Sequence, residues 1–424
     1  MKAILPQLAL ILVLLFIADG LKAQTPDANN IIYVDANATG TGNGSSWLNA
    51  MTSLADALKY AQENRTSYTS GNTLKIYVAK GVYKPAYSPA SFIAAGRQNT
   101  FLMVANVQLY GGFDSVNGID DLADTRIYGA GGTILSGDVN GDDIATGSGS
   151  TLAITQVTEN NHHVVVAAGE VGAAVLDGFT VTGGNADNSA SYVTANGAYN
   201  ISVGEGGGMY ILSSSPQLVN CTFTLNRGYW YAGGIFCAAS SSPIITGCTV
   251  SRNLVGGLGG GMYNSASSPT LTNCTFSGNS SPGSYAGGMA NYDNATPTFN
   301  GCLFTGNFGI QSGGVRNVGS STVFTDCRFV SNSATSEGGG VHNIGATSIF
   351  TNCSFTTNTA GEGAGIYNSS SSQTMIGCVF TGNSSSSAGA AIMDFIAQST
   401  LINVTTARNG ANALYLYSGV VQLR

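Results

Sequence analysis

The sequence predicts an all-β chain wound as a single-stranded parallel β-helix, a solenoid whose N-terminal capping segment contains one short helix. A thiol period, further columns on the same beat and a strand-and-turn composition predict it. Seven of the eight cysteines, Cys221, Cys248, Cys274, Cys302, Cys327, Cys353 and Cys378, follow one another at intervals of 27, 26, 28, 25, 26 and 25 residues. A period of that length marks a solenoid or repeat array. Phe223, Phe276, Phe304, Phe329, Phe355 and Phe380 each lie two residues after a periodic cysteine, with Val250 in the remaining place. Three residues later come Asn226, Asn253, Asn279, Asn307, Asn332, Asn358 and Asn383. Glycine pairs followed by an aliphatic residue open the repeats, from Gly207-Gly208-Met209 to Gly339-Gly340-Val341, and a second asparagine column runs through Asn264, Asn291, Asn317, Asn343 and Asn368.

Within one repeat, Leu271 to Ser277 alternates so that Cys274 and Phe276 point one way while Thr275 and Ser277 point the other, which is the period of a strand. Such short runs, broken by Gly, Ser, Asn and Pro, leave no room for amphipathic helices. If each repeat is one coil, its backbone pairs with the neighbouring coils at about 4.8 Å and like residues stack on like. The asparagine ladder is expected at the bends, where its amide can donate, accept and tolerate left-handed dihedrals, and the glycine pairs are expected to permit a sharp corner. Cysteine Cβ atoms stacked in register lie too far apart for ordinary disulfides, so buried reduced thiols are expected. Cys237, outside the ladder, reads as a packed small apolar residue.

Hydrophobic residues make up 43% of the chain and charged ones only 9%, with 58 glycines, so the surface must be largely Ser, Thr, Asn and Gly. A net charge of −7 excludes nucleic acid and anionic membrane as natural partners. Residues 1–23 read as a signal peptide: Lys2, an apolar run from Ile4 to Ile17, and a small-residue cleavage site ending at Ala23. The mature chain is therefore expected to be secreted, extracellular or held at the cell surface in association with an outer membrane. It is not expected to be integral to a membrane, because no later apolar run is long enough, so any anchor must come from a partner or from sequence beyond Arg424. Residues 24–163 form the cap and first irregular coils. Strands are expected at 31–34, 76–79, 101–110 and 133–136, with a helix marked by Leu54, Ala57, Leu58 and Ala61 and N-capped by Thr52 or Ser53. Residues 164–424 form the regular coils.

The glycine-glycine-aliphatic starts paired with Phe-x-x-Asn ends resemble the repeats of polymorphic outer-membrane proteins, surface-displayed bacterial β-helices that act largely as adhesins. Tyr33-Val34-Asp35, Gly111-Gly112-Phe113 and the run from Asp177 to Asn185 are similar to the front end of secreted right-handed β-helix proteins of the pectin-lyase-like fold. The resemblance implies a right-handed coil and an adhesin-like role toward a glycan or a host or neighbour surface protein. It equally brings in an alternative, a polysaccharide lyase or glycoside hydrolase of that fold.

Catalysis of either kind needs clustered carboxylates. From residue 206 onward the acids are Asp293, Asp326, Glu337, Glu362 and Asp394, and only Glu337 and Glu362 fall roughly in phase, so no catalytic residue is assigned. Asp138, Asn140 and Asp142 begin like a calcium loop, but Asp143 stands where the loop needs glycine and Gly149 where it needs an acid, so a solvated turn is favoured and no cofactor is required. His162 and His163, as strand neighbours, are expected to face opposite ways. The remaining clue is aromatic. Tyr210, Phe236, Tyr263, Arg316, His342 and Tyr367 occupy one outward column, and Tyr229, Trp230 and Tyr231 form a loop that periodicity does not require. Flat aromatics beside polar groups suit stacking on sugar rings or burial against a protein.

Overall fold

In the computed structural model, which describes residues 24–187 and 191–424, each regular coil contains four short strands. One coil runs Met209–Leu212, Gln217–Val219, Thr222–Thr224 and Arg227–Gly228. Residues 1–23, where a signal peptide is expected, lie outside the described residues.

Left-handed residues make the corners. Asn220 (φ 50°) precedes Cys221 and Leu225 (φ 56°) precedes Asn226. Equivalent pairs recur at Asn273 and Gly278, Gly301 and Gly306, and Asn352 and Thr357, so each phenylalanine strand of three residues is held between two αL turns. The ladder asparagines themselves are not left-handed, contrary to expectation; the residue before each takes the strain while the asparagine turns its amide toward the adjacent coils. Nor are the glycine pairs at positive φ. A Cβ on Gly234 would lie 2.3 Å from the Gly261 carbonyl oxygen, and one on Gly288 2.4 Å from that of Gly314, so glycine is required because backbone stacks on backbone there.

Coil on coil, these strands build parallel sheets. Among the described residues one sheet has thirteen strands beginning at Ile31–Val34, two have eleven, and one has eight strands, mostly of two residues. Registers join like to like: Phe276 with Phe304, Phe304 with Phe329, Asn264 with Asn291, Asn317 with Asn343. The expected strand at 101–110 is split into Phe101–Leu102 and Val107–Phe113, because Asn106 turns left-handed between them. The helix spans Leu54–Glu63, with Ser53 Oγ accepting from the Asp56 amide, and its buried Leu54, Ala57, Leu58 and Ala61 enter the main core beside the first strands.

Three interior ladders hold the coils in register. Phe276, Phe304, Phe329, Phe355 and Phe380 stack with centroids 4.5–5.1 Å apart, and a second pile of Phe299, Phe324 and Phe350 meets them edge-on. Each asparagine from Asn226 to Asn383 donates from Nδ2 to the next one along, at 2.9–3.1 Å, and to a carbonyl of the coil behind. In the second asparagine column, from Asn264 to Asn368, each Nδ2 donates to the Oδ1 of the next residue along at 2.7–2.8 Å, and the column ends on the fully buried carboxylate of Asp394. Burial raises the Asp394 pKa above the usual carboxylate range. All eight cysteines are free and buried; Cys237 sits in register with Asn264, and burial pushes its thiol up to about 12, which rules out a nucleophile at neutral pH.

Candidate functional site

The aromatic column is real but covered. Tyr210, Phe236, Tyr263, Arg316, His342 and Tyr367 follow one another in register on the outer face of one eleven-stranded sheet, with Ala290 between Tyr263 and Arg316. They were expected to be exposed, yet all but the half-buried Tyr367 are buried. Two causes are visible. The antiparallel hairpin of Tyr192–Ala195 and Tyr199–Ser202 packs Ala195 and Ile201 into the same apolar cluster as Tyr210 and Phe236. Further along, two rings cover the column at Tyr263: Tyr231, from the turn before Ile235, stacks on it at 4.3 Å, and Tyr292, at the end of the strand Met289–Tyr292, lies 5.6 Å away. At the covered end Glu205 receives the Tyr210 hydroxyl at 3.3 Å, and burial pushes its carboxyl up to about 7.

What stays open is the margin of this column. Tyr229, Trp230 and Tyr285, 47%, 48% and 41% exposed, rim a cavity of about 460 Å³ that also touches Tyr231 and Leu258. Gly256, Gly257 and Gly283, from the turns of two successive coils, line it as well, and a Cβ on Gly257 would lie 1.9 Å from the Trp230 carbonyl oxygen, so the close approach of backbone to backbone requires glycine there. Tyr229 and Trp230 meet edge to face at 4.7 Å, which fixes one against the other. Tyr285 was missed by sequence analysis, although it stands four residues before Met289 as Tyr231 stands four before Ile235.

Arg316 lies behind one rim residue, Tyr285, and does not itself line the cavity. Its guanidinium carbon lies 4.6 Å from the Tyr285 ring centroid, Nε donates to the Tyr292 hydroxyl at 2.9 Å, and Nη1 donates to Gln311 Oε1 at 2.5 Å. His342 accepts no proton from this neighbourhood at neutral pH, since burial and then the Arg316 charge hold its pKa down at about 3.

A second cluster lies on the insertion that follows the strand Thr133–Ser136. Oxygens of Asp138, Asp142, Asp143 and Glu159 gather within 4.8 Å of one another. Asn140 lies in the same turn, where the Asp138 carboxylate accepts from the backbone amides of Gly141, Asp142 and Asp143. Burial, with Asp138, Glu159 and Asp142 adding repulsion against the Asn160 hydrogen bond, pushes the Asp143 carboxyl up to about 6. His162 and His163 do diverge: one ring nitrogen meets Asn185 O, the other Gly206 O. Glu337 and Glu362 sit side by side on adjacent coils, as their phase implied, and Ser387 hydrogen-bonds Glu362. The other late acids are apart from them: Asp293 takes a hydroxyl bond from Ser265, Asp326 forms a left-handed corner and Asp394 lies in the core.

A family described as the right handed beta helix region matches residues 144–334. No curated protein matches the chain. Among solved structures, pectate lyase Pel9A is 13% identical with a TM-score of 0.48, over 92% of this chain and 78% of that one. The A-module of the Azotobacter vinelandii mannuronan C-5 epimerase AlgE4 is 14% identical with the same TM-score, over 92% and 99%. A polygalacturonase from Erwinia carotovora ssp. carotovora is 9% identical with a TM-score of 0.39, over 87% and 94%. With the family match lying across its parallel, in-register coils, the chain is a right-handed parallel β-helix.

Proposed function

We propose that this chain is a secreted or surface-displayed, non-enzymatic β-helix scaffold that binds a glycan through the groove between Tyr229, Trp230 and Tyr285. One observation carries it: three half-exposed rings, Tyr229 and Trp230 on one coil and Tyr285 two coils along, surround a cavity lined between them by glycine. A sugar presents alternating apolar ring faces and hydroxyls, which such rings and bare backbone amides complement. The apolar N-terminal run supports export, and among the described residues no helix is long and apolar enough to cross a membrane, a statement that leaves β-barrels aside. In affinity electrophoresis against a polysaccharide panel, at least one polymer is expected to retard the protein. Trp230→Ala should weaken that retention roughly 30-fold with an unchanged melting temperature. Equal retention of both proteins would remove the groove from the account.

The runner-up is a polysaccharide lyase or hydrolase, for which Glu337 and Glu362, on adjacent coils, are the nearest pair among the acids from residue 206 onward.

Glycan binding here needs no cofactor. The oxygen-only donor set of Asp138, Asp142, Asp143 and Glu159 is nevertheless one that calcium takes, and we propose it as a stabilising rather than catalytic site. Asp143 has a folded pKa above its ordinary value, so its contribution favours folding at low pH and is lost as pH rises through about 6. Millimolar calcium is accordingly expected to raise Tm at pH 7 and to have little effect at pH 5. No shift at pH 7 would return the cluster to a solvated acidic turn.

A further inference from the structure

Two arginines of this protein are buried against aromatic rings. Arg126 lies over Tyr110, Phe113 and Tyr128 and holds the carboxylate of Asp177 at 2.8 Å. Arg316 is buried as deeply, 7% exposed, and lies over Tyr285, yet it enters no ion pair among the described residues. Its contacts are all neutral: Tyr292, Gln311 and His342. Nη2 donates to none of the described groups and is not sealed from solvent. The next turn residues along, Glu337 and Glu362, make no ion pair with it. A desolvated guanidinium without a counter-ion is costly, and the fold demonstrates at Arg126 how it supplies one when the charge is structural.

Building on the groove proposed above, we infer that Arg316 is an anion-recognising residue of that groove, and that the glycan it takes carries an acidic substituent, a carboxylate or sulfate, seated on Nη2 beside the Tyr285 ring. Tyr285 joins the two parts: it rims the cavity and carries the guanidinium on its face. The hydrogen bonds from Nε to Tyr292 and from Nη1 to Gln311 fix the fork, so one edge is presented without further ordering. His342, held neutral, adds no charge beside the guanidinium. Bound anion would supply what Asp177 supplies to Arg126.

The test is calorimetric titration of the mature chain with a uronic-acid oligosaccharide, with the same oligosaccharide after reduction of its carboxyls to alcohols, and with a sulfate ester of the reduced form. The wild-type protein is expected to bind an anionic form at least tenfold more tightly than the reduced one, on the order expected for a charged hydrogen bond. The two anionic arms tell carboxylate from sulfate. Arg316→Met should erase the difference, the anionic sugars binding this variant no more tightly than the reduced one, with the far-UV circular dichroism of the coils retained. If the methionine variant fails to fold, Arg316→Lys serves in its place and should diminish the anionic preference by losing the fork. Equal binding of the acidic and reduced sugars, with both lost in Trp230→Ala, overturns the role of Arg316 and leaves the groove standing. No binding of any of the three overturns both.

Discussion

Replacing Asn307 with alanine is expected to lower the unfolding free energy by about 2–6 kcal/mol, on the order of 1–3 kcal/mol for each of two buried polar groups left without a partner. Asn307 Oδ1 accepts from both the backbone and the side-chain amide of Asn279, and its Nδ2 donates to Phe276 O and Asn332 Oδ1. Alanine takes these partners from two groups in the dry interior, the Asn279 N–H and the Phe276 carbonyl. The Asn279 amide keeps Val250 O, and Asn332 Oδ1 keeps the backbone N–H of residue 307. Because the ladder is continuous, the loss falls on the contact between coils, the term that makes a solenoid cooperative. Urea unfolding followed by far-UV circular dichroism should show either a much lower midpoint or a split transition. A change below about 1 kcal/mol would mean that the ladder is incidental to stability.

Phe329→Ala is expected to cost about 3–5 kcal/mol, the range for removing a large ring from a packed core. Phe329 stacks between Phe304 at 5.1 Å and Phe355 at 4.6 Å and meets Phe324 edge-on at 5.4 Å. It is held between corners at Asp326 and Ser331, so the coil cannot collapse inward to refill the space. Phe329→Leu should recover much of the loss. If alanine and leucine unfold at the same denaturant concentration as the wild type, the ring column is not the core of the solenoid.

The parts legible in the sequence are those written as repetition. One thiol every 26 residues or so gave the coil, the Phe and Asn columns gave its interior, and Ser53 with Leu54 and Leu58 gave the helix. Phe299, Phe324 and Phe350 escaped notice because they enter late and replace Leu271, Ile245 and Leu218 in the same register. Corners were misassigned by one residue, since a left-handed turn tolerates Leu225, Arg252 or Thr357 when neighbours impose it. Alternation placed the Tyr210 column outside correctly but carried no information on what covers it, because the hairpin around Val193 and Ile201 lies outside the repeat. The groove depends on Tyr285, and the carboxylate cluster on Glu159, each distant in sequence from the residues it joins.

The central functional claim is that the chain holds a polysaccharide without changing it. Incubating the mature protein with acidic and neutral polysaccharides, with and without calcium, while following retention, new reducing ends and unsaturated products together, tests it most directly. Retention of a polymer that is recovered at its original chain length, and that is lost in Trp230→Ala, is the predicted result. Progressive shortening of any polymer, abolished by Glu337→Gln or Glu362→Gln, would contradict it.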